Sequence, residues 1–397
     1  MVMIDIPTGD MILRSQTRAL HPRGSPIKYA GILNEVRRRI LTGELAVDER
    51  LPTREELAAH FRTTKVTVQK ALDVLADEGL VRAEGNRGTF VTDQRHAQAH
   101  YALTFPWGRL ARSSRFYEAL HLEAGKLQSP ECQVSVFHEI DGPNDTDDYR
   151  RLMDLIRSHR LAGVMFAARP HRLWNYPVLT EPGIPRVVIA AHRIEPGIPT
   201  VYPDIEGFLP RAFERLAALG RKRVAVLVLA TEDAASEVAR IQSLAKPRGL
   251  RVEPHWVQAV SAGDYSWARQ AARLLFQGTG TARPDSLVIA DDNLAPESTA
   301  GLLAAGVRVT DCGERRRSND VLVLAHANFP YPTPTEVPVL RLGFDISPLL
   351  GLCMERLEQQ RRGEKPPAET MLAARFEDEQ EVETEEAVVA SQSGGAR

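Results

Sequence analysis

The residues whose types and spacing best suit chemistry lie together between positions 64 and 70: Thr64, Lys65, Thr67, Gln69 and Lys70. Val68, Ala71, Leu72 and Leu75 run between them at three- and four-residue spacing, which predicts a helix from about Lys65 to Glu78 burying that stripe. Lys65, Gln69 and Lys70 then fall on the opposite face, with Thr64 as N-cap. The first turn of such a helix offers free backbone N–H groups and a positive dipole end to a phosphate, supplemented by the two threonine hydroxyls and the Lys65 charge. Gln69 can pair with an adenine edge through both ends of its amide. Any one of these residues is an ordinary surface group. Their combination on one helix points to contact with a nucleic-acid duplex.

The elements that must position this helix are legible from the same local rules. Ile32, Leu33, Val36 and Ile40 mark an earlier helix, closed by Gly43. A second helix starts in Leu51-Pro-Thr-Arg-Glu-Glu-Leu57, where Thr53 and Glu56 have capping-box spacing. Phe61 and a short Arg-Thr-Thr turn separate it from the helix of Lys65. Gly79 ends that helix, and Leu80-Val-Arg82, a turn at Gly85-Asn-Arg and Thr89-Phe-Val91 predict a small hairpin. Asn86 tolerates a left-handed turn conformation, and Arg87 is long enough to enter or line a minor groove. Two helices at a tight turn followed by a hairpin make a winged helix-turn-helix.

This stretch resembles the GntR-family DNA-binding domain over nearly all of that domain's length. The matching residues are Pro26-Ile-Lys-Tyr29, Ile40-Leu-Thr-Gly43-Glu-Leu, Arg50-Leu-Pro-Thr-Arg-Glu-Glu-Leu-Ala58, Thr64-Lys-Val-Thr-Val68, Ala71-Leu72, Leu75, Glu78-Gly-Leu-Val81 and Arg87-Gly-Thr-Phe-Val91. The resemblance implies DNA contacts at Thr64, Lys65, Thr67 and Gln69 and, in the wing, at Asn86 and Arg87. The sequence departs from the family pattern where an arginine usually binds phosphate, since Glu55 stands there. Arg54 is the candidate substitute, leaving the helix about 100° from that position. The family also favours arginine at position 69 and glycine at position 86, so a different base preference and wing tip are expected.

Length and composition set the frame. A chain of 397 residues with 43% hydrophobic residues has material for two or three packed units. Lys+Arg at 50 against Asp+Glu at 52 leaves no global basic field, so a nucleic-acid surface must be local. Cys132, Cys312 and Cys353 are far apart, which suggests neither a disulfide framework nor a zinc site, and fits a reducing cytoplasm. His96 and His100 share a four-residue spacing without a third ligand nearby and read as linker residues. No apolar run approaches about 18 residues, so no membrane partner is expected. No cofactor is expected either. Residues 1–25 and the acidic 377–397 segment read as poorly ordered tails, 26–91 as the winged helix, 92–100 as a polar linker, and 101–376 as an effector-binding and dimerisation domain.

In this last region, apolar runs of strand length alternate with helical stretches: Val134-Ser-Val-Phe137, Gly163-Val-Met-Phe166, Arg186-Val-Val-Ile-Ala190, Arg223-Val-Ala-Val-Leu-Val-Leu229, Ser286-Leu-Val-Ile-Ala290 and Val321-Leu-Val-Leu324. Such runs predict parallel sheets covered on both faces, hence an α/β domain. The order of elements is similar to the LacI/GalR type of sensor, a periplasmic-binding-protein-like pair of α/β lobes. Ile184-Pro-Arg-Val-Val-Ile-Ala190, Thr200-Val-Tyr-Pro-Asp204, the Asp204-to-Gly220 spacing and Arg283-Pro-Asp-Ser-Leu-Val-Ile-Ala-Asp-Asp-Asn-Leu-Ala295 carry the likeness. Arg221 stands where that family usually has histidine, and Ala325-His-Ala-Asn328 replaces its Gly-Phe-Asp-Asn. A winged helix of one family joined to a sensor of the other resembles the arabinose-repressor-like architecture.

In such a sensor the ligand lies between the lobes at the C-terminal ends of the strands. Trp107, Arg109, Arg169, Arg193, Asp292 and Asn328 fall at strand ends and offer the aromatic faces and charged groups that hold polyols. The resemblance places the family's ligand-binding aspartate on Asp292. The expected protein is a cytoplasmic homodimeric transcriptional repressor that reads a pseudo-palindromic double-stranded operator and answers to a small molecule, possibly a sugar. The alternative keeps DNA binding and makes the C-terminal region a dimerisation scaffold with a degenerate ligand site. An enzyme would need a nucleophile–base pair, a phosphate loop or a metal cluster, and the sequence offers none of these.

Overall fold

The computed structural model describes residues 26–41, 44–77, 79–92, 99–108, 114–129, 132–142, 146–158, 160–190, 197–231, 233–262, 264–278, 283–310 and 320–379. The chain divides into two compact units: Met1–Arg39 with Asp48–Thr92, and Ile40–Val47 with Asp93–Arg397.

The first unit holds α1 (Pro26–Leu41), α2 (Arg54–His60), α3 (Lys65–Asp77) and a hairpin of β1 (Val81–Ala83) and β2 (Thr89–Val91). Ile32, Val68, Ala71, Leu75 and Leu80 have no exposed surface, so the predicted stripes are the buried ones. The capping box of α2 is complete: Glu56 N–H donates to Thr53 Oγ1, and Thr53 N–H donates to the Glu56 carboxylate at 2.7 Å. Residues before α2 extend the hairpin, with Leu51 N–H donating to Thr89 O and Val91 N–H to Glu49 O. At the wing tip the left-handed conformation falls on Gly85 (φ 51°) and Gly88 (φ 120°), whereas Asn86 lies in a short 3-10 turn between them. The tolerance expected of Asn86 is thus supplied by the glycines around it. A Cβ on Gly88 would lie 2.6 Å from Arg50 Nε, a flexible side chain that can move aside, so it is the positive φ that favours glycine at that position.

The second unit consists of two six-stranded sheets. One contains β3 (Ala99–Thr104), β4 (Cys132–Phe137), β5 (Gly163–Phe166), β6 (Arg186–Ile189), β7 (Thr200–Pro203) and, from far along the chain, β13 (Glu369–Leu372), in the order β13-β7-β6-β5-β3-β4. Its helices are α4 (Arg115–Lys126), α5 (Asp147–Arg157) and α6 (Pro177–Thr180). The other contains β8 (Val224–Leu229), β9 (Val257–Val260), β10 (Ser286–Ile289), β11 (Leu322–Phe329), β12 (Leu340–Asp345) and β14 (Arg375–Phe376), in the order β14-β12-β11-β10-β8-β9. It is covered by α7 (Ile205–Ala218), α8 (Ala234–Ala245), α9 (Ser266–Phe276) and α10 (Ala295–Ala304). Every pairing is parallel except β12 with β14. Buried runs such as Val224–Val228 and Ser286–Ile289 show why these segments lack alternation: both faces of each sheet are covered.

The chain crosses between the lobes three times. After β7 it enters the second lobe through α7, whose Phe208, Leu209, Phe213 and Leu216 pack in that core. After β12 it returns through α11 (Ile346–Arg361), whose Ile346, Leu349, Cys353 and Leu357 pack with Tyr101, Leu103 and Met165. It crosses again between β13 and β14. Two crossings are fixed by aspartate caps: Asp204 accepts from Gly207 N–H at 2.9 Å and Asp345 from Ser347 N–H at 3.1 Å.

Two domain boundaries shift. Residues 99 and 100, placed in the linker by sequence, belong to β3, where His100 Nε2 meets Ser135 Oγ at 2.8 Å; His96 lies outside the described residues. The acidic segment starting at Glu377 opens with a helical turn, not a tail. Glu377 pairs with Arg341 at 3.1 Å, Glu379 with Arg211 at 2.8 Å, and Asp378 with Arg215. Arginines on α7 and β12 therefore draw these carboxylates back onto the second lobe. Residues 1–25 and 380–397 lie outside the described residues.

Candidate nucleic-acid interface and effector cleft

On the first unit, the expected polar groups lie on α3 and the start of α2. Thr64 and Thr67 join through their hydroxyls at 2.9 Å, and Thr64 Oγ1 accepts from Thr67 N–H. Lys65 is ion-paired with Glu55 across the helix-turn-helix, and this contact holds the Glu55 carboxyl below its usual range. The acid that replaces the family's arginine thus neutralises a lysine of the recognition helix. Arg54 Nη1 donates to Gln69 Oε1 at 2.6 Å, and Gln69 Nε2 donates to Asp73 Oδ1 at 2.6 Å. Both ends of the Gln69 amide, expected to face a base, are therefore engaged within the protein. Lys70 is exposed on the same helix.

The sequence reading overlooked Val66, an apolar side chain 68% exposed in the first turn of α3. The available signal was its position off the buried stripe of Val68, Ala71, Leu72 and Leu75. In the wing, Glu84 holds Arg82 Nε at 2.9 Å and Arg87 Nη1 at 2.9 Å, while the two guanidiniums lie 6.0 and 5.9 Å from the Phe90 ring. Arg82 also meets Asp48 at 2.6 Å. The Arg87 side chain remains 79% exposed. The Asn86 side chain lies outside the described ones.

In the second unit, the strand ends of the two lobes carry the residues expected to line an effector cleft. On the first lobe, Phe105 follows β3 and its ring stacks on His138 with centroids 5.4 Å apart. Trp107 meets Tyr117 of α4 edge-on at 4.6 Å. His121 lies 5.6 Å from His138, so an aromatic and imidazole cluster lines this end of the sheet. Trp107 was expected from sequence; Tyr117, His121 and His138 were not, since the first two sit on α4 and the third follows β4, away from the strand end that carries Trp107. Arg169 is exposed after β5. Arg109 and Arg193 lie outside the described residues.

On the second lobe, the structure brings Asp292 and Asn328 together. Asn328 Nδ2 donates to Asp292 Oδ2 at 2.7 Å, and His326 Nδ1 lies 3.7 Å from Asp292 Oδ1. The rings of Phe208 and Phe344 flank His326 at 5.5 Å each. Burial opposes a charge on His326, but the Asp292 contact and the negative charges of Asp292 and Asp291 outweigh it and raise its pKa. Burial also raises the pKa of Asp291, whose carboxylate accepts from the Asn293 backbone and side-chain amide. Asp292 is only 2% exposed and is occupied by these partners, so it is a buried, partnered group instead of an open polar arm. Asn328 Oδ1 is buried with no hydrogen-bond partner among the described residues.

Helix α4 bonds to segments that come from the second lobe or lead back from it. Arg115 N–H donates to Asn293 Oδ1 at 3.0 Å. Nearer the crossing at Asp345, Glu123 accepts from Tyr331 OH at 2.8 Å and from Ser347 Oγ at 2.6 Å. Arg221, at the position where a histidine was expected, is buried and donates Nη1 to Asp285 O and Asp320 O. It fastens the base of the second sheet.

A winged helix followed in the chain by a two-lobed parallel α/β unit defines a DNA-binding transcriptional regulator with a periplasmic-binding-protein-like domain. Residues 28–91 match the model of bacterial regulatory proteins of the gntR family. Residues 132–333, half of the chain, match periplasmic binding proteins and the sugar binding domain of the LacI family, and the chain belongs to that family. It is 26% identical over 330 residues to an arabinose metabolism transcriptional repressor of Geobacillus stearothermophilus, covering 78% of this chain and 84% of the relative. A protein of the same description from Halalkalibacterium halodurans is 22% identical over 356 residues, covering 84% and 91%. Among solved structures, a LacI-family regulatory protein from Chloroflexus aggregans matches at 17% identity and TM-score 0.49, covering 70% of this chain and 96% of that one.

Proposed function

We propose that this chain is a homodimeric repressor whose affinity for a pseudo-palindromic operator is set by a small polyhydroxylated effector bound between the two lobes. The observation that carries this reading is the joining of a gntR-type winged helix to a two-sheet sensor crossed three times by the chain. Two of its relatives are named as arabinose metabolism repressors, which favours a sugar-sized ligand. Lys65, Lys70, Thr64, Thr67 and Arg87 contact phosphates, the region of Arg54 and Gln69 faces base edges, and Val66 meets thymine methyl groups. Asn86 lies at the wing tip beside Arg87 and approaches the minor groove with it.

In the sensor, Trp107 and Tyr117 supply an aromatic face, and the Asp291–Asp292–Asn328 floor supplies acceptors and an amide. Arg169 supplies charge at the rim; Arg109 and Arg193, expected from sequence to add to it, lie outside the described residues. Ligand binding changes the spacing of the lobes, and through the dimer the placement of the two winged helices, by at most the ligand's difference in affinity for the two states. We place the protein in the cytoplasm, where operator and metabolite meet; among the described residues no helix is long and apolar enough to cross a membrane.

The test is selection of bound sequences from random duplex DNA with the full-length chain, followed by thermal unfolding in the presence of a panel of monosaccharides. A repeated half-site in inverted orientation and a saturable rise in Tm with one sugar are expected. Selection of a motif with no sugar response in any member of the panel would instead favour a dimerisation scaffold with a degenerate pocket.

A further inference from the structure

We infer that Arg54 is the base-reading residue of this winged helix, and that Gln69 acts as its positioning residue. The inference rests on the DNA-binding reading above and assigns a division of labour within it.

Three side chains carry it. Arg54 is the first residue of α2, Gln69 is on the outward side of α3, and Asp73 lies one turn further along α3. Arg54 Nη1 donates to Gln69 Oε1 at 2.6 Å, and Gln69 Nε2 donates to Asp73 Oδ1 at 2.6 Å. Chemistry fixes the direction of this chain. A guanidinium only donates and a carboxylate only accepts, so the Gln69 oxygen must face Arg54 and its nitrogen must face Asp73. The amide has no second orientation that satisfies both neighbours.

That arrangement limits what Gln69 can do on DNA. Bidentate pairing with adenine uses the amide oxygen and nitrogen together, and each already carries one bond within the protein. One lone pair and one N–H remain on the amide, so a base could be met only in an orientation that keeps the Arg54 and Asp73 bonds, which ties Gln69 to the place its two neighbours give it. Arg54 is placed differently. One bond to Gln69 leaves enough donors on its planar fork for the paired O6 and N7 acceptors of guanine. Gln69 holds that fork against the recognition helix, at the face where a groove would lie. Asp73 in turn holds Gln69. Arg54 thereby brings a guanidinium from the neighbouring helix to the face of position 69, and guanine is the base it suits.

The Glu55–Lys65 pair gives a second reason for the shift. Lys65 is held to α2 by Glu55, so the positive group aimed at base edges from this junction is Arg54.

The test uses the full-length chain in sequence selection and titration against an operator and its single-base variants, with Arg54→Ala, Gln69→Ala, Asp73→Ala and the Arg54→Ala/Gln69→Ala double variant. Arg54→Ala is expected to abolish preference for one guanine in each half-site, a loss of about 5- to 150-fold in discrimination at that position alone. Gln69→Ala should weaken preference at the same position, Asp73→Ala should do so to a smaller extent, and the double variant should match Arg54→Ala. The inference is overturned if Gln69→Ala relaxes a separate adenine position. It is equally overturned if Arg54→Ala weakens all sequences alike with a shallower salt dependence, the mark of a phosphate contact. Wild-type protein without any sequence preference would defeat the DNA-binding reading itself, which keeps the two failures distinct.

Discussion

The side-chain amide of Asn328 donates to the carboxylate of Asp292 at 2.7 Å, with 0% and 2% of the two residues exposed. Asp292 follows β10 and Asn328 lies on β11, so this bond ties the C-terminal ends of two neighbouring strands, where the effector is proposed to bind. A carboxylate buried this far depends on its donors. Asn328→Ala should lower stability by about 2 kcal/mol or more, read from urea unfolding of the full chain. An unchanged midpoint would show that the bond contributes nothing to these strand ends.

His326 should make that stability pH-dependent. Its folded pKa is raised, because the Asp292 contact and the charges of Asp292 and Asp291 outweigh the opposing effect of burial. A group with a raised folded pKa stabilises fully below its unfolded value of 6.5 and loses that contribution as pH rises through the folded value. The chain should therefore become less stable as pH rises above about 6.5, and His326→Gln should flatten this limb. Asp291 acts in the same direction in a lower window that starts from 3.8, so the two are separable. A wild-type profile that rises between pH 6.5 and 8, or a variant profile identical to wild type, would contradict the assignment.

Glu123 should couple the lobes. It accepts from Tyr331 and Ser347, which lie on opposite sides of the crossing after β12. Glu123→Gln removes the charge that strengthens both hydroxyl bonds and that Lys126 pairs with, for a cost of about 1–2 kcal/mol. The expected readouts are a lower Tm and a smaller effector-induced change in operator affinity, with affinity for DNA in the absence of effector retained. Loss of effector-free DNA binding together with Tm would mean that the residue supports folding alone.

Glu55 and Lys65 should act on DNA affinity in opposite directions. Lys65→Ala removes a phosphate-facing charge and should make the slope of log affinity against log salt shallower by about 0.9. Glu55→Ala frees Lys65 and removes a negative charge, so binding to all sequences should tighten. If Glu55→Ala weakened binding, the pair would be positioning the lysine instead of competing for it.

How much of this was legible in the sequence follows from how local each feature is. The capping box at Thr53 and Glu56 and the stripe through Val68 and Leu75 are set within a few residues and were legible; the wing turn was legible too, but its left-handed conformation was expected at Asn86 and falls on Gly85 and Gly88. Also legible were β5, β8 and β10, whose unbroken apolar runs reflect coverage on both faces. β3 was partly misread as linker because His100, half-buried against Ser135, looks polar in isolation. The partners of Asp292 and Glu123 come from 36 and 208 residues away, through strand register and the return of α11 to the first lobe. Nothing in the neighbouring sequence records such a distance. The Arg54–Gln69 contact fell between: both residues were singled out, but their meeting depends on the angle of the helix-turn-helix. The acidic segment at Glu377 read as solvated because the arginines that hold it, Arg211, Arg215 and Arg341, are far away in the chain.

The central claim is that one molecule reads a DNA sequence and releases or grips it in response to a small molecule. Its most direct test is fluorescence anisotropy of the full-length chain on its selected operator, titrated with the monosaccharide that raises its Tm. A saturable change in operator affinity of about 5- to 150-fold is predicted, with reciprocal change in sugar affinity when operator is bound. Operator affinity that stays constant at saturating sugar would contradict the account.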